Sequence, residues 1–256
     1  MNFILNPNLP EREVKLAVVG SVSEAIINSL TNMSIFIISA PSCQRIDYKI
    51  CTHPDMQLCH LGDHKFIANE EVCEYYKERI NDFCKEKDCY FFNKRVEIKK
   101  YLYEKQGNVL YPYDCKMNSV VLSKKIITHT NNNLFDSENK EIIRVSQGYV
   151  KCSTCVVSSD AIITADRSIE KSAINNGIDV CLVTNETIQL NGYKNGFIGG
   201  TCGKISKNKL AFFGDVKTHP DGNRIIEFCE KYNVECVSLV DGYLYDYGSL
   251  LPIIEE

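Results

Sequence analysis

Apolar and polar positions along the chain fall into a pattern that recurs. The clearest copy is residues 149–184, YVKCSTCVVSSDAIITADRSIEKSAINNGIDVCLVT. It reads as a strand CSTCVVS, a tight turn at Ser158-Ser159-Asp160, a strand AIITA, a helix and a final strand. Asp166-Arg167-Ser168 supplies a capping residue for the helix, and Asn176-Gly177 ends it with residues able to take positive φ. The final strand DVCLV is a short apolar run suited to burial on both faces.

The same order recurs from GFIGG onward. A strand is followed by a turn at Ser206-Lys207-Asn208, a strand KLAFFG, a helix with an apolar stripe of Ile225, Ile226, Cys229 and Tyr232, and a strand. Another copy begins at Pro54, turns at Gly62-Asp63-His64, starts its helix at Asn69-Glu70-Glu71 and ends in CYFF. A fourth, DCKMNSVVLSKKIITHT followed by EIIRVS, has a poorly marked helix, and NNNLFDSENKE between them reads as loop. The first copy is partial: KLAVVG, a helix SVSEAIINSL, then SIFIISA. Units of this size are characteristic of repeat folds, and none of these could bury its apolar face alone. The expectation is one α/β domain over residues 1–256, with five ββαβ-type repeats at approximately 13–40, 51–93, 111–148, 149–185 and 193–256 around a central axis. An open α/β sheet with similar units is the alternative. Residues 94–112 and 186–194 read as connectors, the first as a solvated charge run.

Composition changes this picture little. The chain is 44% hydrophobic and 24% charged, enough for a substantial core. A net charge of −4 supplies no basic footprint for nucleic acid. The start, MNFILNPNLPEREVKLAVVG, lacks the charged and long apolar regions of a signal peptide. No apolar run approaches the ~18 residues of a membrane span. A cytoplasmic protein that binds neither membrane nor nucleic acid is expected, and its 13 cysteines then read as free thiols.

The repeated unit resembles the pentein superfamily, which includes arginine and agmatine deiminases, dimethylarginine hydrolases, glycine amidinotransferases and the ribosome anti-association factor. VSLVDGYLYDYGSLLP resembles the last strand and loop of the dimethylarginine hydrolases. HPDMQ, KCS, GFIGG and the D-x-G-S of Asp246–Ser249 are similar to a clostridial-type subgroup with the guanidino-modifying fold. The resemblance implies a β/α-propeller in which a cysteine of the last repeat attacks a guanidinium carbon. A histidine of the preceding repeat moves protons, and acidic residues hold the cation. Carboxylates pair bidentately with a planar cation, and a thiolate is a suitable nucleophile. Two positions depart from that pattern. Asp246 stands where the cysteine belongs and Tyr149 where the histidine belongs, so the usual covalent mechanism lacks its residues.

Counting in steps of two back from the inner strands gives the rows His53, Asp55, Gln57; Tyr113, Cys115, Met117; and Tyr149, Lys151, Ser153. With one face inward, His53, Asp55 and Lys151 approach the axis, and Asp246 and Asp241 join from the last loop. His53 and Asp246 are the expected catalytic groups. Asp55, Gln57, Lys151, Ser153, Gly199, Gly200 and Asp241 are the expected substrate-binding set, with no metal or cofactor. Plain structural roles compete: an Asp55–Lys151 ion pair, a turn cap for His53, close strand approach for Gly196, Gly199 and Gly200. Alternation points Cys152 away from Lys151, as a buried thiol rather than one activated by that cation. His219 reads as a surface cap. Cys152 and Cys155 form a CxxC that, on a strand, faces opposite sides and is a poor metal site. The GFIGG stretch lacks the following residues of a phosphate loop.

Three functions remain open. One is a hydrolase or amidinotransferase acting on a small guanidino or amidine compound in an axial pocket. Another is a catalytically inactive pentein that binds a small ligand or a protein partner. The third, a ribosome-binding factor, is disfavoured by the acidic balance.

Overall fold

The computed structural model describes residues 1–87, 89, 96–103, 111–135 and 140–256. Its strands form five small sheets, four of three strands and one of four. In the fourth sheet Thr154–Ser158 pairs antiparallel with Ala161–Thr164, which runs parallel to Asp179–Leu182. The fifth sheet repeats this with Cys202–Ser206, Lys209–Phe212 and Glu235–Ser238. The second does so with Leu58–Gly62, Lys65–Asn69 and Glu97–Tyr101, and the third with Val120–Val121, Lys125–His129 and Glu141–Val145. In three of the sheets the hairpin register shifts at the same place, between Val156 and Ser158, Lys204 and Ser206, and His60 and Gly62. A shared irregularity of this kind marks the units as copies.

The first sheet explains why the first copy looked partial. Val14–Val19 runs parallel to Phe36–Ser39, and its antiparallel partner is the C-terminal strand Leu251–Glu255, which also pairs with Asn2–Phe3. The chain end assigned by sequence to the last repeat therefore completes the first sheet and closes the ring. The first strands of neighbouring sheets meet around the axis: Thr154–Ser158 contacts Cys202–Ser206, which contacts Leu251–Glu255.

Two of the helices carry side-chain caps, whereas Cys73–Glu86 begins past the expected Asn69-Glu70-Glu71 start with Val72 at its N-cap and, like Gly222–Lys231, has no side-chain cap. Asp166 accepts from the amides of Ser168 and Ile169 at the start of Arg167–Asn175, and Ser23 accepts from Ile26 at the start of Glu24–Asn32. Gly222–Lys231 buries Ile225 and Cys229 against the sheet. The second unit's helix is Cys73–Glu86. Among the described residues the third unit has no helix between its last two strands.

Two expectations need correction. The last strand of the second unit is Glu97–Tyr101, inside the segment read as a connector. Its charges at Glu97, Lys99 and Lys100 are the exposed positions of an edge strand with no fully buried residue. Of the expected strand CYFF, residues 90–92 lie outside the described residues. Asp179–Leu182 is likewise a half-exposed edge, and the middle strand Ala161–Thr164 is the one buried throughout. All 13 cysteines are free thiols. Among the described residues, no helix is long and apolar enough to cross a membrane.

His60 gives the fold a pH dependence. Its ring stacks on Phe66 at 4.5 Å and Nε2 lies 2.8 Å from the Asp63 carbonyl. Burial pulls its pKa from 6.5 down to about 4. The folded chain therefore keeps His60 neutral where the unfolded chain protonates it. Its contribution is complete above pH 6.5 and is lost as pH falls toward 4, at about 1.4 kcal/mol per pH unit. Denaturant unfolding between pH 7 and pH 4 should show this loss. His60→Gln, which keeps a donor for Asp63, should flatten it; an unchanged pH slope would assign the effect elsewhere.

Candidate active site

Four of the inner strands are each preceded by a helical turn rather than by more strand. These are Pro54–Gln57, residues 114–117, residues 150–153 and the 3₁₀ turn Ile198–Thr201. The three rows counted in steps of two all fall on or beside such turns. Side chains there diverge by about 100° per residue instead of 180°, so strict alternation does not hold along these rows even though His53, Asp55 and Lys151 come together. The consequence is largest at residues 149–153. There the Ser153 amide donates to the Tyr149 carbonyl at 2.9 Å, and Asn118 Oδ1 accepts from both the Lys151 and Cys152 amides at 2.7 and 3.1 Å. This turn brings Cys152 to the Asp55 carboxylate on one side while Lys151 reaches Ser249 on the other.

Asp55 is the hub. Its Oδ2 accepts from the Ser249 hydroxyl at 2.7 Å and from the Cys152 thiol at 3.1 Å. Its Oδ1 is buried without a hydrogen-bond partner. Lys151 Nζ donates to Ser249 Oγ at 3.0 Å, so Lys151 and Asp55 are joined through a hydroxyl rather than by direct contact. Burial raises the Asp55 pKa, while His53 and Lys151 oppose the rise. The Cys152 thiol is pushed well above its ordinary value by burial and then by the charges of Asp55 and Asp246. Asn118 Nδ2 offsets this in part by donating to Cys152 Sγ at 3.1 Å.

Asp246 stands on the other side of His53. Its Oδ1 lies 3.8 Å from His53 Nδ1 and accepts from the Gly248 amide at 3.0 Å, while Oδ2 accepts from the Phe197 amide at 2.8 Å. Burial raises its pKa, and His53 opposes that most strongly. His53 occupies the N-cap position of Pro54–Gln57, yet its side chain makes no capping bond. A ring nitrogen of His53, a carboxylate oxygen of Asp55 and Cys152 Sγ all lie within 4.8 Å of one another.

His53, Cys152 and Asp246 line a cavity of about 180 Å³ with Ile50, Tyr149, Leu190, Tyr193, Asn195 and Phe197. Its walls are thus aromatic and aliphatic and its floor is ionisable. The Tyr149 hydroxyl donates to Asp114 Oδ2 at 3.0 Å, which fixes that wall. Asp55 and Lys151 line a separate and much smaller space of about 20 Å³.

The other expected residues have structural surroundings. Gln57 faces away from the cavity: its Nε2 donates to the carbonyls of Pro41 and Cys51, and its Oε1 accepts from the Tyr76 hydroxyl at 2.6 Å. Ser153 is buried outside the cavity lining, with its hydroxyl unpartnered. Asp241 is exposed on the turn after the last edge strand, remote in character from the buried cluster. Gly199 and Gly200 act through close approach. A Cβ on Gly199 would strike the backbone carbonyls of Lys151 and Thr154, and one on Gly200 would strike the Asp246 carboxylate. His219 is buried, not a surface cap. It brackets two segments, with Nε2 2.9 Å from the Thr184 carbonyl and Nδ1 accepting from the Asp221 amide at 3.0 Å.

Sequence reasoning missed three participants: Cys152, Ser249 and Asn118. Cys152 was read on a strand that in fact begins at Thr154. Ser249 has φ of 74°, a conformation no residue pattern announces. The Gly248-Ser249 pair after Asp246 was the available signal.

Five small sheets of this repeated topology, closed in a ring, give the chain the pentein fold. The chain belongs to the family of unknown function DUF6873, whose model matches residues 17–251. No curated protein matches it in sequence. Among solved structures it is similar to the inosamine-phosphate amidinotransferase StrB1 from Streptomyces griseus. That match has 10% identity and a TM-score of 0.58, and covers 98% of this chain and 97% of that one. It is also similar to SxtG, an amidinotransferase from Microseira wollei in the saxitoxin biosynthetic pathway, at 7% identity and a TM-score of 0.56, covering 97% and 98%. At these identities the likeness establishes the shared fold.

Gly200→Ala tests the packing of Asp246. Overpacking of this kind costs about 1–3 kcal/mol, so thermal unfolding should shift down by roughly 2–4 °C per kcal/mol. An unchanged melting temperature would mean that Asp246 does not rest on this turn.

Proposed function

We propose that this protein is an enzyme acting on a small guanidino or amidine compound, as a hydrolase or an amidinotransferase, with Cys152 as nucleophile. The observation that carries this reading is the buried thiol of Cys152, imidazole of His53 and carboxylate of Asp246 lining one apolar-walled cavity, with the Asp55 carboxylate hydrogen-bonded to the thiol from outside that lining. A planar cation is the ligand such a floor favours. Asp246 offers a carboxylate already oriented by two amides, and the faces of Tyr149, Tyr193 and Phe197 attract positive charge from the walls. The cavity is smaller than the ~300–1,000 Å³ typical of drug-sized ligands, which suits a small compound.

The chemistry follows from the contacts. Bound positive charge beside Cys152 stabilises its thiolate, and the thiol proton passes to Asp55 along the existing hydrogen bond. The sulfur forms a bond to the central carbon, and the C=N electron pair moves onto nitrogen. The tetrahedral adduct then collapses: the bond to the leaving amine breaks, and His53 gives that amine a proton. The S-amidino intermediate is attacked by water, or by an acceptor amine in the transferase case, with His53 taking the attacker's proton. The bond to sulfur breaks, and the proton held on Asp55 returns to the thiol. Lys151 and Ser249 hold Asp55 in place from behind. His53 keeps the proton-transfer role expected from sequence, while Asp246 and Asp55 exchange theirs: Asp246, expected to be catalytic, holds the cation, and Asp55, expected to bind substrate, takes the thiol proton. Cys152 replaces the missing C-terminal cysteine. The inactive-binder alternative drew its support from that missing nucleophile and loses it here. Cytoplasmic residence remains part of the proposal.

The test is a panel of guanidino and amidine compounds followed by release of amine and of the carbonyl product. Thermal shift should report binding: a ligand at about 100 times its Kd adds about 2.7 kcal/mol. Cys152→Ser should keep the thermal shift and lower kcat by at least about 10³-fold, the scale seen on loss of a nucleophile. Turnover that survives Cys152→Ser would remove the covalent route. No binding across the panel would remove the substrate class.

A further inference from the structure

The same three side chains that suit covalent chemistry also make a ligand set. We propose that Cys152, Asp55 and His53 bind one divalent transition-metal ion of the zinc class, and that the bound ion excludes the amidine.

The geometry is close to a tripod. One sulfur, one carboxylate oxygen and one ring nitrogen lie within 4.8 Å of each other, and all three side chains are buried. Cys152 Sγ and Asp55 Oδ2 are already 3.1 Å apart, a separation two ligands of one small ion adopt without rearrangement. Thiolate, imidazole and carboxylate together select zinc or cobalt over magnesium or calcium, which take oxygen ligands. Cys152 and His53 also line the 180 Å³ cavity, so the fourth position of a tetrahedral ion opens onto it.

Two further observations point to an ion. Asp55 Oδ1 is buried and has no hydrogen-bond partner, so this carboxylate has unused acceptor capacity beside the cluster. Asp246 Oδ1 lies 3.8 Å from His53 Nδ1, longer than a hydrogen bond but near enough for a small turn of the ring to make it the outer carboxylate that orients a metal-bound imidazole. The ligands are held from outside as well. Ser249 donates to Asp55, Asn118 donates to Cys152 Sγ, and the amides of Phe197 and Gly248 fix Asp246. A CxxC site with Cys155 is not involved: Cys155 points into the apolar cluster of Val157, Ile163, Cys202 and Leu210.

Binding does not depend on the proposed enzymatic activity. Its inhibitory consequence does, because it rests on Cys152 being the nucleophile. The test uses the full chain, stripped with a chelator and kept reduced by a phosphine. Zinc is titrated against a chromophoric chelator, and cobalt(II) is followed by its thiolate-to-metal charge-transfer absorption. One tight equivalent per chain and a charge-transfer band are expected. Both should vanish in Cys152→Ser. Asp246→Asn, which leaves the three ligands in place, should weaken zinc by about 10–100-fold, the usual cost of losing an outer partner. Cys84→Ser/Cys89→Ser should change neither readout. Absence of a tight equivalent, its retention in Cys152→Ser, or its loss with the Cys84/Cys89 pair would overturn the site, and unchanged zinc affinity in Asp246→Asn would overturn the outer role of that carboxylate. These readouts need no substrate, so they stand or fall separately from turnover.

Discussion

The arrangement around the axis depends on one buried carboxylate. Asp55 receives the Ser249 hydroxyl and the Cys152 thiol on a single oxygen, its amide donates to the Gly248 carbonyl at 3.3 Å, and its carbonyl accepts from Asn118 at 3.2 Å. It thereby ties the second unit to the third, the fourth and the C-terminal loop. A buried charge in an apolar interior is costly unless its surroundings answer it. Lys151 answers it from one side through Ser249, and His53 from the other. The turn that carries Cys152 and the positive φ of Ser249 are both needed to assemble this shell. The local backbone at the axis is therefore set by electrostatics as much as by packing.

The repeated units were readable from the sequence because their outer parts obey simple periods. Strands such as Ala161–Thr164 and Lys209–Phe212, the Asp166 cap and the stripe on Gly222–Lys231 each follow from local rules. The site was readable only in part. His53, Asp55, Lys151 and Asp246 do converge, while the counting scheme that chose them also chose Gln57 and Ser153, which serve elsewhere. The scheme assumed extended backbone before each inner strand. A helical turn stands there instead, and nothing in residues such as VKCS distinguishes one turn of helix from the end of a strand. The contribution of Leu251–Glu255 to the first sheet was hidden for a different reason: ring closure is a property of the whole chain, not of any window.

The glycines show how sequence and site are coupled. Gly196 and Gly200 both lack the Cβ that would meet Asp246, and Gly248, at φ of 78°, lacks the one that would meet His53. Small residues here bring backbone amides to the Asp246 carboxylate and let the imidazole approach it. The GFIGG segment is thus neither a phosphate loop nor a mere spacer between strands. It is the wall against which the second carboxylate is set.

Both proposals for the floor of the cavity have one physical root. Asp55 and Asp246 bring two carboxylates into a region with Lys151 as its fixed cation, and the thiol proton is held tightly first by burial and then because releasing it would add further negative charge. Whatever binds must bring positive charge to let the thiolate form. A guanidinium does so as a planar cation that then receives the sulfur, and a zinc-class ion does so by taking the sulfur as a ligand. In either case the sulfur is activated only once its visitor brings positive charge, even though Asp55 stands ready to take the proton, so the resting thiol is protected until a cation arrives. Apolar side chains at these positions would cost this axis little stability, so the thiol, imidazole and two carboxylates gathered here are what a site for a cation requires rather than what packing requires.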